Sequence, residues 1–392
     1  MLKGKHVLLG VSGGIAVYKS LELISLLRKE GAIVKTIMTK SAMEFISPMT
    51  FKSISGETVS YSMFDENKPI EHISLADWAD IFIIAPATAN IIGKIASGVA
   101  DDLLSTSILA GKATKIIVPT MNVFMYENKA VQRNLHILKD LGYIVLEPDT
   151  GHLACGYSGK GRFPDPKDIL DAINVYSFFY VGDTPSKTFH GKRILVTAGA
   201  SVEKIDPMRF ISNRSSGKMG ISLAKVAYLM GAKVTLIYSK VSEKIPYYID
   251  AHSAETAVEM YNSVMDLESE HDIIIMCAAV ADYTIEKPFT EKLKKGDDLT
   301  LNLVRTKDIL YELGQKKTDE QVLVGFAAES ENIIANAKAK LIKKNCSYIV
   351  ANSLYTSGKE DTELTLISKN NEKQIKGPKL ATACQLLSEI IV

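Results

Sequence analysis

The sequence is organised around residues 193–220, RILVTAGASVEKIDPMRFISNRSSGKMG. An apolar β-type run breaks at Gly199, and the chain then enters a helical pattern through SSGKMG at 215–220. A strand, a Gly- and Ser-rich turn and a helix start suit a phosphate, because unpaired backbone N–H groups meet the positive end of the helix dipole there. The order of a Walker loop is absent, and an ordinary Ser-capped helix is the alternative. The stretch predicts a phosphate site at Ser215, Ser216, Gly217 and Lys218.

Length and composition limit the class of protein. A chain of 392 residues is too long for one hydrophobic core, so we expect two domains. Its 46 basic and 45 acidic residues leave a net charge of +1, which gives no electrostatic case for nucleic acid or an anionic membrane. The sequence shows no apolar run near the ~20 residues of a membrane span, no signal-peptide pattern, and four scattered cysteines. We expect a cytoplasmic protein with free thiols.

The same β-turn-α-β pattern begins twice in this chain. GKHVLLG at 4–10 runs into SGG, and GKRILV at 191–196 runs into TAG; each is followed by a helix and a second apolar strand. Continuous apolar strands that alternate with helices predict a parallel sheet covered on both faces. The predicted fold class is therefore α/β, with two doubly wound, Rossmann-like parallel-sheet domains. We place them at 1–182 and 191–392, joined by a linker at 183–190.

In the first domain, three strand ends carry residues suited to a phosphate-bearing cofactor. Two glycines in SGGI at 12–15 let an anion approach the backbone, but the full GxGxxG spacing is missing. Thr39 follows the second strand, where a dinucleotide ribose would need an acidic residue. This disfavours NAD and suits a mononucleotide phosphate. With Thr88 and Asn90 at the next strand end, the site could hold flavin mononucleotide (FMN).

Three further residues of the first domain have both a functional and a structural interpretation. His72 is a candidate base or a surface or capping histidine. Asn122 follows a strand end and could bind substrate or merely stabilise a turn. Cys155 lies in a glycine-rich stretch, 148–166, that we interpret as a lid, so a proton donor on that lid is favoured over a small buried thiol.

Several long motifs carry a family resemblance that covers essentially the whole chain. The first domain contains GVSGGIAVYK, HISL, APATAN, PTMN and ACG, which resemble the flavin-containing cysteine decarboxylases, a flavodoxin-like fold. The second contains CAAVADY, EKLKK, VGFAAE and KKN besides the stretch quoted first, which resemble the phosphopantothenate–cysteine ligases. In this order the chain resembles the bifunctional phosphopantothenoylcysteine decarboxylase/phosphopantothenate–cysteine ligases of coenzyme A synthesis.

The resemblance implies the chemistry of the first domain. FMN oxidises the cysteine thiol of 4′-phosphopantothenoylcysteine to a thioaldehyde, CO₂ leaves, and the enethiol is protonated and reduced to 4′-phosphopantetheine. His72 matches the family's base, Asn122 the amide that grips the carboxylate, and Cys155 the proton donor. The family more often has PAMN, so Thr120 is a small departure. The cofactor-binding residues implied are Ser12, Gly13, Gly14, Ile15, Thr39, Thr88, Ala89, Asn90 and Met121.

For the second domain the resemblance implies that CTP activates 4′-phosphopantothenate as an acyl-cytidylate, which the amine of cysteine then attacks. Asn213 matches the residue that handles this intermediate, and Lys292 matches an essential lysine. Ala200 and Ser201 depart from the family's usual TAGGT or TAGPT. Mg²⁺ is expected on the triphosphate, with its protein ligands unknown. The nucleotide-binding residues implied are Ser215, Ser216, Gly217, Lys218, Met276, Cys277, Ala278, Asp282, Lys292, Lys307, Asp308, Ile309, Leu310, Phe326, Lys340 and Lys344; without the motifs, its lysines would be interpreted as solvated.

The resemblance also implies a homo-oligomer, with flavin sites between subunits in trimers that form a dodecamer, and with dimers of the ligase domain. The preference for CTP over ATP comes from the resemblance alone. Two alternatives stay open: a flavin-dependent decarboxylase of another cysteine-terminated substrate, and a non-catalytic regulatory flavoprotein. The fused ligase motifs argue against the first, and the absence of an acidic tail argues against the second.

Overall fold

A computed structural model of the chain describes residues 1–64, 69–152, 156–181, 184–186, 188–294, 299–329, 331–353 and 361–390. The chain divides into two compact units, Met1–Lys187 and Thr188–Val392, and each is described by itself. One predicted catalytic residue, Cys155, lies outside the described residues.

Six strands of the first unit form a parallel sheet. They are β1 (His6–Val11), β2 (Ile33–Met38), β3 (Val59–Ser60), β4 (Ile81–Ala87), β5 (Thr114–Pro119) and β6 (Ile144–Val145). Their order in the sheet is β3-β2-β1-β4-β5-β6, and every neighbouring pair is parallel. The strand order reverses between β1 and β4, and sheets of this kind bind ligands at the carboxyl ends of the strands beside that point.

Helices and two hairpins complete the first unit. The helices are α1 (Val17–Lys29), α2 (Lys40–Met43), α3 (Pro48–Ser55), α4 (Glu71–Trp78), α5 (Ala89–Ala96), α6 (Leu103–Ala110), α7 (Val123–Glu127), α8 (Lys129–Asp140) and α9 (Pro166–Phe179). The hairpins pair β7 (Asp149–His152) with β8 (Ser158–Arg162), and β9 (Tyr180–Val181) with β10 (Thr184–Pro185). Strands β4 and β5 are buried along their whole length, since helices cover both faces of the sheet.

The second unit has a larger, mixed sheet. Its strands are β11 (Arg193–Ala198), β14 (Lys233–Tyr238), β15 (Asp250–Ser253), β16 (Ile273–Met276), β19 (Val322–Glu329), β20 (Tyr348–Ser353), β21 (Asp361–Ile367) and β22 (Glu372–Pro378). The order is β15-β14-β11-β16-β19-β20-β21-β22, in which the first six strands are parallel and the last two pairings are antiparallel. The antiparallel extension is not apparent from the apolar runs, because β21 and β22 carry many exposed polar residues.

The remaining elements of the second unit lie between these strands in the chain, except the last helix, which follows β22. They are the strands β12 (Val202–Lys204), β13 (Phe210–Ser212), β17 (Tyr283–Ile285) and β18 (Leu303–Arg305), the helices α10 (Lys218–Leu229), α11 (Ala257–Leu267), α12 (Ile309–Lys316), α13 (Ile333–Lys343) and α14 (Lys379–Ile390), and a 3-10 turn (Glu268–Glu270). Strand β12 pairs with β13 and β17 pairs with β18, each antiparallel. The long turn after Gly199 is thus partly a short hairpin.

The repeated opening is confirmed as a structural repeat. Strand β1 pairs in parallel with β2 from His6 opposite Ile33, and β11 pairs with β14 from Arg193 opposite Lys233. The connecting helices α1 and α10 are the helices predicted to follow the first strand of each repeat. The predicted fold class, two doubly wound α/β domains, is confirmed, with the antiparallel pair as an addition.

Candidate active sites

The predicted phosphate-binding turn lies at the start of α10. Its N-cap residue, Gly217, has φ +72° and no side chain to occupy the first N–H groups of the helix. Ser215 Oγ accepts from the N–H of Gly217 at 3.3 Å, and Ser216 Oγ accepts from that of Lys218 at 3.5 Å. The Lys218 ammonium is mostly buried and lies 3.3 Å from Glu243. Backbone donors, two hydroxyls and an ammonium therefore converge at the positive end of a helix.

Two glycines let α10 approach the end of β11 closely. A Cβ on Gly220 would lie 2.8 Å from the carbonyl oxygen of Thr197 and 2.7 Å from the Cβ of Ala198. A Cβ on Gly217 would lie 3.2 Å from the backbone nitrogen of Gly199, at a φ that side chains rarely adopt. The turn therefore has the backbone-to-backbone packing that holds an anion site in place.

The turn forms one wall of a cleft of about 1000 Å³ at the carboxyl end of the parallel strands. Every residue predicted to bind the nucleotide lines this cleft except Lys292, and Asn213 lines it as well. Residues distant in sequence meet here: Ser215 precedes α10, Phe326 lies in β19, and Lys344 follows α13. The arrangement brings the predicted set together, while the role of each residue stays a prediction.

Polar side chains hold the chain segment that follows β16. Thr197, at the end of β11 and fully buried, accepts with Oγ1 from the N–H groups of Cys277 and Ala278, both at 3.0 Å. Asn213 Nδ2 donates to the carbonyls of Ala279 and Val280 at 3.3 and 3.2 Å. These bonds fix one side of the cleft. Because the N–H groups of residues 277 and 278 already donate to Thr197, these residues can present only their carbonyl oxygens to a ligand.

The Cys277 thiol is not activated. Burial raises the pKa of this thiol to about 12, and the positive charge of Lys379 opposes that shift only partly. A thiol with such a pKa stays protonated at neutral pH and is a poor nucleophile. Cys277 therefore contributes shape to the cleft, as the sequence indicates.

The opposite rim of the cleft is basic. Lys344 lies 3.1 Å from Asp308 Oδ1, and the same carboxylate caps α12 by accepting from the N–H of Tyr311. The Lys307 ammonium stacks 4.2 Å from the ring centroid of Tyr261. The Asp308 carboxylate thus pairs with Lys344 and caps α12, and in this way it positions Lys344 at the rim.

Lys292 is exposed and does not line the cleft, in contrast to the other predicted nucleotide residues. Its segment is fastened at the next residue, where Leu293 donates its N–H to Asp206 Oδ2 at 3.2 Å and accepts from Arg209 at 3.1 Å. Phe289 donates its N–H to the carbonyl of Ile205 at 2.8 Å. The segment that carries the lysine is therefore held by the turn between β12 and β13.

Asp206 is a site-supporting residue that sequence reasoning missed. Its carboxylate is buried and accepts from the N–H groups of Met208, Arg209 and Leu293 and from the Arg209 guanidinium at 3.1 Å. Burial alone would raise the pKa of Asp206, but these donors outweigh it and hold the pKa below its ordinary value. The signal in the sequence is the DPMR turn, whose partner 87 positions away could not be read from it.

In the first unit, the structure brings the ends of β1, β2 and β4 into contact. Ser12 Oγ is buried, donates to the carbonyl of Pro86 at 2.8 Å, and accepts from the N–H of Thr88 at 2.9 Å. A Cβ on Gly13 would lie 2.8 Å from the carbonyl oxygen of Ser41, in the helix that Thr39 caps. The three strand ends predicted to form one site are therefore adjacent.

The two helices that begin at this point lack side-chain caps. Helix α1 follows β1 and α5 follows β4, and neither N-cap side chain, of Ala16 or of Thr88, bonds to the helix N–H groups. A Cβ on Gly14 would meet only Thr88 Cγ2, at 3.7 Å, so the space above this glycine is nearly open. Helix starts without a side-chain cap, beside an open glycine, suit a phosphate-bearing ligand.

His72 lies on α4 and is half-buried. Its Nδ1 atom is buried and has no hydrogen-bond partner among the residues that the structure describes. The neighbouring Glu71 is buried and accepts from the Ser60 hydroxyl at 2.7 Å. A buried ring nitrogen without a partner is costly unless a ligand or a second chain supplies one.

Asn122 and Met121 contact the glycine-rich hairpin. Asn122 caps α7 by accepting from the N–H of Phe124 at 2.8 Å, so its structural interpretation holds, and its contact with a substrate stays a prediction. Met121 donates its N–H to the carbonyl of Gly161 at 3.0 Å. The predicted lid, 148–166, contains the hairpin β7–β8, which is fastened at its base, and Cys155 lies outside the described residues.

Two features are absent from the described ranges. No helix there is long and apolar enough to cross a membrane. No group of three His, Cys, Asp or Glu side chains there is arranged to hold a metal ion.

Comparisons with known proteins match both units. The family model "Flavoprotein" matches residues 1–176, and "DNA/pantothenate metabolism flavoprotein C-terminal domain" matches residues 189–392. The chain is 45% identical over 400 residues to the Coenzyme A biosynthesis bifunctional protein CoaBC of Bacillus subtilis, covering 100% of this chain and 97% of the relative. It is 40% identical over 397 residues to the protein of the same name from Haemophilus influenzae, covering 100% and 98%. A crystal structure of the C-terminal domain of a CoaBC protein is 37% identical, with a TM-score of 0.44, and covers 51% of this chain and 94% of that one.

Proposed function

Because this chain belongs to the family of bifunctional coenzyme A biosynthesis proteins, we propose that it performs two consecutive reactions of that pathway. The second unit joins 4′-phosphopantothenate to cysteine with CTP. The first unit, an FMN flavoprotein, decarboxylates the resulting 4′-phosphopantothenoylcysteine to 4′-phosphopantetheine. The observation that carries the ligase proposal is the single cleft lined by nearly all residues predicted to bind the nucleotide.

The chemistry of the ligase needs charge neutralisation, because a carboxylate must attack the α-phosphorus of a triphosphate. The start of α10 and Lys218 offer donors and a cation for phosphate oxygens, and Lys340 and Lys344 add positive charge at the rim. The carbonyls of residues 277 and 278, left over by the bonds to Thr197, suit the amino group of a cytosine. Mg²⁺ would bind mainly through triphosphate oxygens and water.

Asn213 and Lys292 have separate proposed roles. Asn213 is placed at the cleft by two bonds from its Nδ2, so its Oδ1 is left to accept from the attacking amine or from the acyl-cytidylate intermediate. Lys292 has to enter the cleft from outside. Either its segment moves about the anchor at Leu293, or a partner subunit supplies the lysine, as a ligase dimer would allow.

The residues of the first unit fit FMN. The open space at Gly14, the uncapped starts of α1 and α5, and the unpartnered Nδ1 of His72 are each features that a bound ligand would complete. When bound, FMN supplies oxidation and re-reduction of the substrate at its cysteine-derived sulfur and carbon. Residues 12–15, Thr39 and residues 88–90 would hold it at the strand ends.

The protein's own groups then handle the carboxylate and the protons. The Asn122 amide would grip the substrate carboxylate, and His72 would take a proton through a ring nitrogen. Cys155 would protonate the carbon left after CO₂ departs. We extend the proposal to the assembly predicted from the sequence, trimers of the first unit within a dodecamer and dimers of the second. A partner chain would also explain the exposed Lys292 and the orphan nitrogen of His72.

The ligase half is tested by Lys292→Gln, with Lys294→Gln, on a neighbouring exposed residue of the same segment, as the matched control. We expect Lys292→Gln to lose CTP-dependent ligation and to keep decarboxylation of supplied 4′-phosphopantothenoylcysteine. Loss of both activities together would contradict separate sites. A nucleotide series with CTP and ATP in the same assay measures the nucleotide preference.

The decarboxylase half is tested by flavin content and by Cys155→Ser. We expect the protein to be yellow as isolated and the variant to release CO₂ but accumulate the oxidised enethiol. A colourless preparation that fails to take up FMN would contradict the flavin proposal. Full turnover by Cys155→Ser would show that the thiol is not the proton donor. Light scattering of the full chain measures the proposed assembly.

A further inference from the structure

One wall of the cleft in the second unit has no role in the reactions described above. It is formed by Asn352 near the end of β20, Thr362 near the start of β21, and Lys379 at the start of α14. Sequence reasoning did not single out these residues, because no motif connects them. They belong to the antiparallel end of the sheet, which the apolar pattern did not reveal.

The sheet topology explains why these three positions meet. Strand β20 runs parallel to the strands that end at the cleft, so Asn352 lies at their carboxyl edge. Strand β21 is antiparallel to β20 and therefore starts at that edge with Thr362. Strand β22 reverses again, and α14 starts where β22 ends. Helix α14 packs against α10, and both helices begin at the cleft, so two positive helix ends face it.

Thr362 occupies an inward position that its strand otherwise fills with aliphatic side chains. Along β21, Leu364 and Leu366 are buried on the same face, and Thr362 is only 6% exposed. Its hydroxyl forms no hydrogen bond with any residue that the structure describes. The hydroxyl oxygen is not among the fully buried atoms without a partner, so it is reachable from the cleft that Thr362 lines. A hydroxyl that has no protein partner and is open to the cleft can donate to a ligand there.

Asn352 is a second polar residue of this wall whose side chain has no hydrogen-bond partner in the described ranges. It is half-buried, lines the cleft, and its side-chain amide has no hydrogen bond in the described part of the chain. Its backbone lies opposite Leu364 in the ladder of β20 and β21, which places it beside the Thr362 end of that strand. Lys379 adds a positive charge from the third direction. The two acidic side chains that line the cleft, Asp282 and Asp308, are contributed by the segments around β16 and α12 instead.

We propose that Asn352, Thr362 and Lys379 form a second phosphate-binding subsite of the cleft, separate from the turn at the start of α10. An amide, a hydroxyl, an ammonium and a helix start are all hydrogen-bond donors, and this combination suits a phosphate group. The inference rests on the proposed ligase function, in which two phosphorylated substrates occupy one cleft. The phosphate held here belongs either to 4′-phosphopantothenate or to the nucleotide, and the experiment distinguishes the two.

The test compares Thr362→Val and Lys379→Gln in the full chain with Lys376→Gln as the matched control. Lys376 is exposed on β22, pairs with Glu363 at 3.3 Å and does not line the cleft. The Michaelis constants for CTP, 4′-phosphopantothenate and pantothenate are measured separately, and the decarboxylase activity of each variant checks that the chain is folded. We expect at least a tenfold rise of one constant in both cleft variants and less than a twofold change in Lys376→Gln.

The pattern of change assigns the phosphate. If the subsite binds 4′-phosphopantothenate, the Michaelis constant for 4′-phosphopantothenate rises while the Michaelis constant for CTP stays unchanged. The preference of the enzyme for 4′-phosphopantothenate over pantothenate then falls by the same factor. If it binds the nucleotide, only the constant for CTP rises. Unchanged constants in both cleft variants, or changes equal to those of Lys376→Gln, overturn the subsite while the ligase function stands. If the wild-type chain shows no ligation, binding of inorganic pyrophosphate to the four proteins decides: weaker binding by both cleft variants supports the subsite, and equal binding overturns it.

Discussion

Replacing Thr197 with valine tests how the nucleotide cleft is held open. The hydroxyl of Thr197 is the only partner of the Ala278 N–H in the described part of the chain, at 3.0 Å. The N–H of Cys277 also has the carbonyl of Ile275 at 3.1 Å, so it loses only one of two acceptors. Valine has the shape of threonine and no acceptor, and since the side chain is fully buried, water cannot replace the hydroxyl.

The magnitude follows from the bond that is lost. One buried N–H left without a partner costs about 1–3 kcal/mol of unfolding free energy. The shared bond of Cys277 adds little, because its second acceptor remains. If the segment 277–278 moves to relieve the unpaired N–H, the cost appears instead in nucleotide binding. At about 1.4 kcal/mol per factor of ten, this corresponds to a rise of roughly five- to 150-fold in the Michaelis constant for CTP.

The assay must separate the two units. The single tryptophan, Trp78, lies in the first unit, so its fluorescence reports the unfolding of that unit, while far-ultraviolet circular dichroism reports both. We expect Thr197→Val to leave the unfolding transition seen by fluorescence unchanged. It should either destabilise the second unit, whose unfolding is seen by circular dichroism, or raise the Michaelis constant for CTP. Thr197→Ser keeps the hydroxyl and is the control. If the valine and serine variants are equal in both measurements, the hydroxyl does not support the cleft.

Three other substitutions have outcomes that the structure defines. Asp206→Asn should reduce ligation without affecting decarboxylation, because an amide nitrogen cannot accept from the N–H of Leu293. The pKa of Asp206 is held low, so the ionised carboxylate contributes its full stabilisation above about pH 4, and this contribution is lost as pH falls through the lowered pKa. The unfolding free energy of Asp206→Asn should therefore decline less steeply in acid than that of the wild type. The same decline of unfolding free energy with pH in both proteins would contradict this. Gly13→Ala should destabilise the first unit, because its Cβ would overlap the Ser41 backbone. Gly14→Ala should fold and lose FMN, because the space above Gly14 is nearly open. Retained flavin absorbance in folded Gly14→Ala would show that nothing binds there.

Local patterns in the sequence were sufficient for the parallel part of both sheets. Alternating apolar runs and helices predicted two doubly wound sheets, and the repeated opening predicted equivalent β-α-β units. Glycines at strand ends, such as Gly13 and Gly217, indicated where ligands approach. These features are readable because burial on both faces of a parallel sheet demands continuous apolar strands, and close backbone approach demands glycine.

The sequence by itself thus determined the fold class, the repeat and the strand ends where ligands should bind. Only the tertiary structure decided which polar groups at those ends are already satisfied and which are left for a ligand. Thr197 takes the N–H groups of residues 277 and 278, Asp206 holds the segment of Lys292, and the Thr362 hydroxyl has no partner among the residues that the structure describes. The physical reason is that hydrogen bonds between distant segments depend on strand register and helix approach, which involve residues that no local pattern connects.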